Sequence, residues 1–92
     1  MSWTLVTTAS FYRRARKFLT RHADLWPRLA ETLEKLRADP FEHSLRLHPL
    51  TGKLQGMQAV SPTFSYRITL ILQITEQEIL LLDIGSHDEV YG

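Results

Sequence analysis

Apolar and polar residues follow two rhythms along this chain, and the change of rhythm divides it. Residues 3–7 are short and β-rich and predict a first strand. From Phe11 the apolar positions fall at helical spacing, at Phe11, Ala15, Phe18, Leu19 and His22. Thr8 or Ser10 stands where a cap is needed, and this helix is expected to end between Arg21 and Ala23. Leu25, Leu29, Leu33 and Leu36 make the stripe of a second helix. Asp24 is its expected cap, and Pro27 falls inside the first turn, where a missing N–H is tolerated. Asp39-Pro40 stops it. So short a turn between two helices predicts an antiparallel hairpin.

Residues 41–56 read as an irregular connection containing Pro49, Gly52 and Gly56, and connections of that length tend to carry function. After it the rhythm becomes two. Residues 57–60 predict a strand that Pro62 interrupts. Residues 65–74 predict a longer one, with Tyr66, Ile68, Leu70, Leu72 and Ile74 on one face and Arg67, Thr69, Ile71 and Gln73 on the other. Thr75-Glu76-Gln77 is a tight turn. Residues 78–84 predict the last strand, with Leu80, Leu82 and Ile84 facing in and Ile79, Leu81 and Asp83 facing out. The expected fold is α+β in one domain spanning 1–92: an N-terminal strand, an antiparallel helical hairpin, then a three-stranded antiparallel meander. The hairpin can cover only one face of the sheet. The other would show Arg67, Thr69 and Gln73 beside exposed Ile71, Ile79 and Leu81, a mixed surface suited to binding.

Composition narrows the field only slightly. Ninety-two residues make one small domain with a thin core. There is no cysteine, which excludes disulfides and thiolate metal sites. No apolar run is long enough to span a bilayer, and the first residues do not read as a signal peptide, so the expected location is the cytoplasm. The formal net charge is only +1, but eight of the eleven Lys and Arg precede residue 43. Arg13, Arg14, Arg16 and Lys17 form a cationic cluster that fits either a solvated helix face or contact with phosphates.

The densest chemistry lies at the end, in Asp83-Ile84-Gly85-Ser86-His87-Asp88-Glu89-Val90-Tyr91. A histidine moves protons near neutral pH. Upstream, Leu47-His48-Pro49-Leu50-Thr51-Gly52 holds a second histidine, and Ser65-Tyr66-Arg67-Ile68 an arginine between the two. Two imidazoles and a guanidinium suffice to cleave a ribose phosphate without metal. Plainer roles compete: polar loop surface for His48, a cap for His87, and an ion pair with Asp83 or Glu89 for Arg67. His43 and His48 make no credible metal pair at their spacing. His22 reads as structural, and Trp3 and Trp26 as core.

The helical pair, the run Leu47-His48-Pro49-Leu50-Thr51-Gly52-Lys53-Leu54-Gln55-Gly56, the segment Tyr66-Arg67-Ile68 and the segment Ile84-Gly85-Ser86-His87-Asp88-Glu89-Val90-Tyr91 together resemble the RelE/ParE toxin superfamily, in its YafQ-like branch. The resemblance covers nearly the whole chain. It implies a small toxin of a type II toxin–antitoxin system that cleaves mRNA in the ribosomal decoding site, needs neither metal nor cofactor, and is silenced by a cognate antitoxin. It implies active-site roles for His48 and His87 and a substrate-binding role for the aromatic Tyr91. With these, Arg67 suits the phosphate, since guanidinium matches it bidentately. Lys53 and Arg46 would steer the RNA backbone. Exposed Ile71, Ile79 and Leu81 would help dock the antitoxin.

The chain also departs from that branch, holding Ser61, Ser65 and Tyr66 where the branch has a histidine, an aspartate and a tryptophan. Two other readings therefore stand beside the nuclease. One is a non-catalytic, ParE-like poison of DNA gyrase; the other is a decayed toxin that only binds its antitoxin.

Overall fold

The computed structural model describes residues 2–91, and the side chain of Tyr91 lies outside what is described. Strand β1 (Thr4–Thr7) leads into helices α1 (Ala9–Arg21) and α2 (Trp26–Ala38). Four strands follow: β2 (His48–Pro49), β3 (Gln58–Val60), β4 (Tyr66–Gln73) and β5 (Glu78–Ser86). A short helix, α3 (His87–Tyr91), comes last. All five strands form one sheet in the order β1-β5-β4-β3-β2. β1 lies parallel to β5, and the other ladders are antiparallel. The expected meander is therefore present as β3, β4 and β5, flanked by a parallel strand on one side. On its other side the connection contributes a two-residue strand that is too short to leave a periodic signal.

Thr8 fixes the start of α1. Its Oγ1 accepts from the Phe11 amide at 3.1 Å and donates to the Leu81 carbonyl at 2.8 Å, so one hydroxyl caps the helix and ties it to β5. α2 starts differently from expectation. Asp24 lies in a 3₁₀ turn over Ala23–Leu25, and the capping position belongs to Leu25, which makes no side-chain capping bond. The 3₁₀ turn carries the chain one residue past Asp24 before the helix begins. Pro27 then sits in the first turn of α2, as its fixed φ allows.

The helices cover one face of the sheet. Phe11, Phe18, Leu29 and Leu36 pack with Ile68, Leu70, Ile79, Leu81 and Ile84 in a single core. Burial reverses the expected phase of β5: Ile79 and Leu81 are buried, while Leu80 and Leu82 are half-buried. The cause is a bulge. Leu70 pairs with Leu81 and Thr69 with Asp83, so Leu82 is an extra residue in β5. Counting by twos backwards from buried Ile84 crosses that residue and flips every position before it. Ile79 and Leu81 are thus not available on an open face. The opposite face is also less open than expected, because Thr69 is only 3 % exposed. Leu54, Met57, Leu82 and Val90 help to line a hollow over it. Trp26, expected in the core, is 56 % exposed, whereas Trp3 does pack against the core. Among the described residues no helix is long and apolar enough to cross a membrane.

Candidate active site

The antiparallel ladders carry residues from far apart in sequence to one end of the sheet. His87 follows directly on β5, and Arg67 lies opposite Gly85 at the start of β4. β3 ends there at Val60, and His48 opens β2 opposite Ala59. From β5 to β2 is three strand spacings, roughly 14 Å between backbones. A cleft of about 560 Å³ occupies this end, lined by His48, Pro49, Leu50, Thr51, Lys53, Leu54, Arg67 and His87. Both imidazoles, the guanidinium and one lysine thus face a common space.

Each of these groups has a local reason for its position. His48 is held at both ends. Its backbone is in the β2–β3 ladder, and its Nδ1 lies 2.9 Å from the Arg46 carbonyl oxygen. A carbonyl only accepts, so in the neutral ring this bond puts the proton on Nδ1 and leaves the lone pair on Nε2. Arg46 can aim its carbonyl this way because its backbone is left-handed, at φ 54° and ψ 43°. That conformation is costly for a side chain with a Cβ.

Arg67 is pinned through one nitrogen. Nη1 donates to the carbonyls of Phe64 at 2.9 Å, Tyr66 at 3.0 Å and Thr63 at 3.4 Å. Among the described residues its Nε and Nη2 have no partner. The expected alternative, an ion pair with Asp83 or Glu89, does not form. Asp83 instead accepts from Arg14 Nε at 2.8 Å, and Glu89 is engaged at Ser86.

His87 opens α3, and a capping box places it. The Ser86 amide donates to Glu89 Oε1 at 3.0 Å, and the Glu89 amide donates to Ser86 Oγ at 3.2 Å. The hydrogen bonds from Ser86, its amide first and then its hydroxyl, hold the Glu89 carboxyl below the ordinary glutamate range, helped by Arg14 and Arg21. Gly85 makes room for this return, since a Cβ there would lie 3.1 Å from Glu89 Cβ. His87 itself is well exposed, with Nδ1 3.8 Å from Asp88 Oδ1.

Of the other expected substrate contacts, Lys53 lines the cleft but the Arg46 side chain does not. Arg46 lines two neighbouring hollows and serves the cleft through its carbonyl. Tyr91 lies outside the described side chains. His22 is half-buried against Phe18 and Tyr66, with Nε2 3.3 Å from the Tyr66 hydroxyl, which fits a structural part. Among the described residues no group of three or more His, Asp or Glu could hold a metal ion. Sequence reasoning missed the capping box, although Ser86-x-x-Glu89 is a readable signature. It also missed the Arg46 carbonyl, which no side-chain pattern announces.

Searched by sequence, the chain matches no protein-family profile and no curated protein. Solved structures do match. YafQ from Escherichia coli strain BL21(DE3) superposes with a TM-score of 0.81 at 15 % identity, over 98 % of this chain and 99 % of that one. The toxin chain of the E. coli DinJ–YafQ toxin–antitoxin complex gives 0.81 at 15 % identity over the full length of both. The YoeB/ParE toxin from Agrobacterium tumefaciens gives 0.73 at 20 % identity, over 91 % of this chain and 98 % of that one. At these identities the likeness is one of fold, and that fold is the RelE/ParE-like toxin fold in the form YafQ takes.

Proposed function

We propose that this chain, which has the RelE/ParE toxin fold, is the toxin of a type II toxin–antitoxin system and an endoribonuclease that cleaves mRNA on the ribosome. The reading is carried by the convergence of His48, Arg67 and His87 on one cleft at the end of the sheet. It is supported by the solved complex of a protein of this fold with its antitoxin.

The chemistry follows from the geometry of each group. His48 Nε2, with its lone pair available, takes the proton from a ribose 2′-OH. The 2′-oxygen attacks the adjacent phosphorus, and negative charge builds on the phosphorane oxygens. Arg67 meets that charge with its unpartnered Nε–Nη2 edge, a fixed cation that needs no rearrangement at the moment of reaction. The bond from phosphorus to the 5′-oxygen breaks, and His87 gives that oxygen a proton. The products are a 2′,3′-cyclic phosphate and a 5′-hydroxyl. Lys53, on the wall of the cleft, draws the RNA backbone in. The reaction calls on neither a metal nor a cofactor.

Inducible expression tests the reading. Growth arrest with halted translation and transcripts cut within reading frames is the expected result. Arrest with gyrase-linked DNA damage and intact transcripts would identify a ParE-like poison instead, and normal growth would identify a decayed toxin. Co-expression of the product of the neighbouring gene should restore growth and co-purify with the chain.

A further inference from the structure

A second hollow opens beside the cleft and shares Arg67 with it. It measures about 240 Å³ and is lined by Arg28 from α2, Arg46 from the connection, and Ser61, Thr63 and Phe64 from the segment before β4. Three features stand together there. Arg28 and Arg46 are exposed, and among the described residues neither side chain has an ion-pair or hydrogen-bond partner. The hydroxyls of Ser61 and Thr63 stand with them, the latter also accepting from the Ser65 amide at 3.3 Å. At the rim, Phe64 is 90 % exposed, far above Tyr12, Trp26, Phe41 and Ile74 at 56–59 %. Ser44, at the same hollow, is already engaged by Lys35 and Glu42.

The segment carrying Phe64 is also wired to the cleft. The carbonyls of Thr63 and Phe64 are two of the three that hold Arg67 Nη1, and the Ser61 amide donates to the Leu45 carbonyl at 3.1 Å. Unpaired guanidinium groups with hydroxyls suit a phosphate, and a solvent-facing aromatic ring suits an unstacked base.

From this juxtaposition we infer a flanking-nucleotide subsite for single-stranded RNA. Arg28 and Arg46 take the phosphate next to the scissile one, and Phe64 stacks on the base attached to it. Arg67 bridges the two positions. The inference rests on the ribonuclease reading for what occupies the neighbouring cleft, and it assigns the hollow a share of RNA affinity rather than of chemistry. The subsite reads phosphate and ring, so it adds binding without strong base preference.

Fluorescence anisotropy of the full chain with labelled RNA oligonucleotides tests it. Phe64→Ala should weaken binding of a tetranucleotide about tenfold and leave a dinucleotide unchanged, with Phe64→Leu giving the same loss because it keeps bulk but not the ring. The pair Arg28→Ala and Arg46→Ala should flatten the salt dependence by about 0.7 in logarithmic slope for each phosphate left without its cation. Both sites are exposed, so unchanged thermal unfolding is expected throughout. Tetranucleotide binding that ignores all three residues would overturn the subsite, even if cleavage by the wild type is intact. Weakened capture of the antitoxin with unchanged RNA binding would also overturn it, by giving the hollow to a protein partner. RNA binding that follows Phe64 in a protein that cuts nothing would keep the subsite and reject the ribonuclease.

Discussion

At the scale of single residues, the cleft is defined by where protons and charges are held. His48 is the sharpest case, because one hydrogen bond from Nδ1 to the Arg46 carbonyl decides which nitrogen of the neutral ring carries the proton. Long-range proton–nitrogen NMR of the neutral protein should find the His48 proton on Nδ1, and a spectrum with the proton on Nε2 would remove it as the base. The histidine itself was legible in the sequence through its motif. The bond that orients it was not, because it depends on a left-handed backbone at Arg46 that an arginine does not advertise. The same holds for Arg67. Its charge was readable, but the alternatives of ion pair and phosphate site differed only in three dimensions, where Arg14 takes Asp83 and backbone carbonyls take Nη1. The Arg14–Asp83 pair is half-exposed on both sides, so Arg14→Ala should cost no more than about 1 kcal/mol in urea unfolding.

At the scale of elements, α3 is the short helix on which the site depends. It has five residues, far too few to persist alone, so the capping box and the contact with β5 hold it. Ser86→Ala should cost about 1 kcal/mol of stability and lower RNA cleavage as well, since His87 is the first residue of the helix. The box is also acid-sensitive. The folded pKa of Glu89 lies below its ordinary value of 4.5, so its contribution is whole above that value and is lost as pH falls through the folded pKa. Protection of the Ser86 amide, measured against its intrinsic exchange at each pH, should therefore fall in acid below that range, and Glu89→Gln should remove that fall. Protection that stays constant through that range in the wild type would contradict the box. Helices α1 and α2 and strand β4 were readable because each holds its period for several turns or pleats. The phase of β5 was not, because Leu82 adds one residue to a rhythm of two. The Asp24 cap failed for a related reason: a 3₁₀ turn shifts where a helix begins without changing its apolar stripe.

At the scale of the molecule, the fold sets the site and the core sets the fold. Three antiparallel ladders bring His48, Arg67 and His87 to one end of the sheet, although thirty-nine positions separate the two histidines in sequence. Leu36, fully buried between α2 and the sheet, is a direct probe of that frame. Leu36→Ala should cost roughly 2–5 kcal/mol, a large share of a small domain's total. A cost under 1 kcal/mol in urea unfolding would show a core far looser than this packing implies. The overall architecture was legible because strand–helix–helix–strands with a shared motif set is a strong joint signal, whereas the parallel place of β1 beside β5 leaves no mark on local sequence. The central claim, that two imidazoles divide proton transfer across one cleft, is tested most directly by single turnover of a single-stranded RNA by the purified wild type and by His48→Ala and His87→Ala. Each substitution alone should slow cleavage by about 10²–10⁴-fold while oligonucleotide affinity stays within a few-fold of wild type; cleavage at the wild-type rate in either variant would contradict the account.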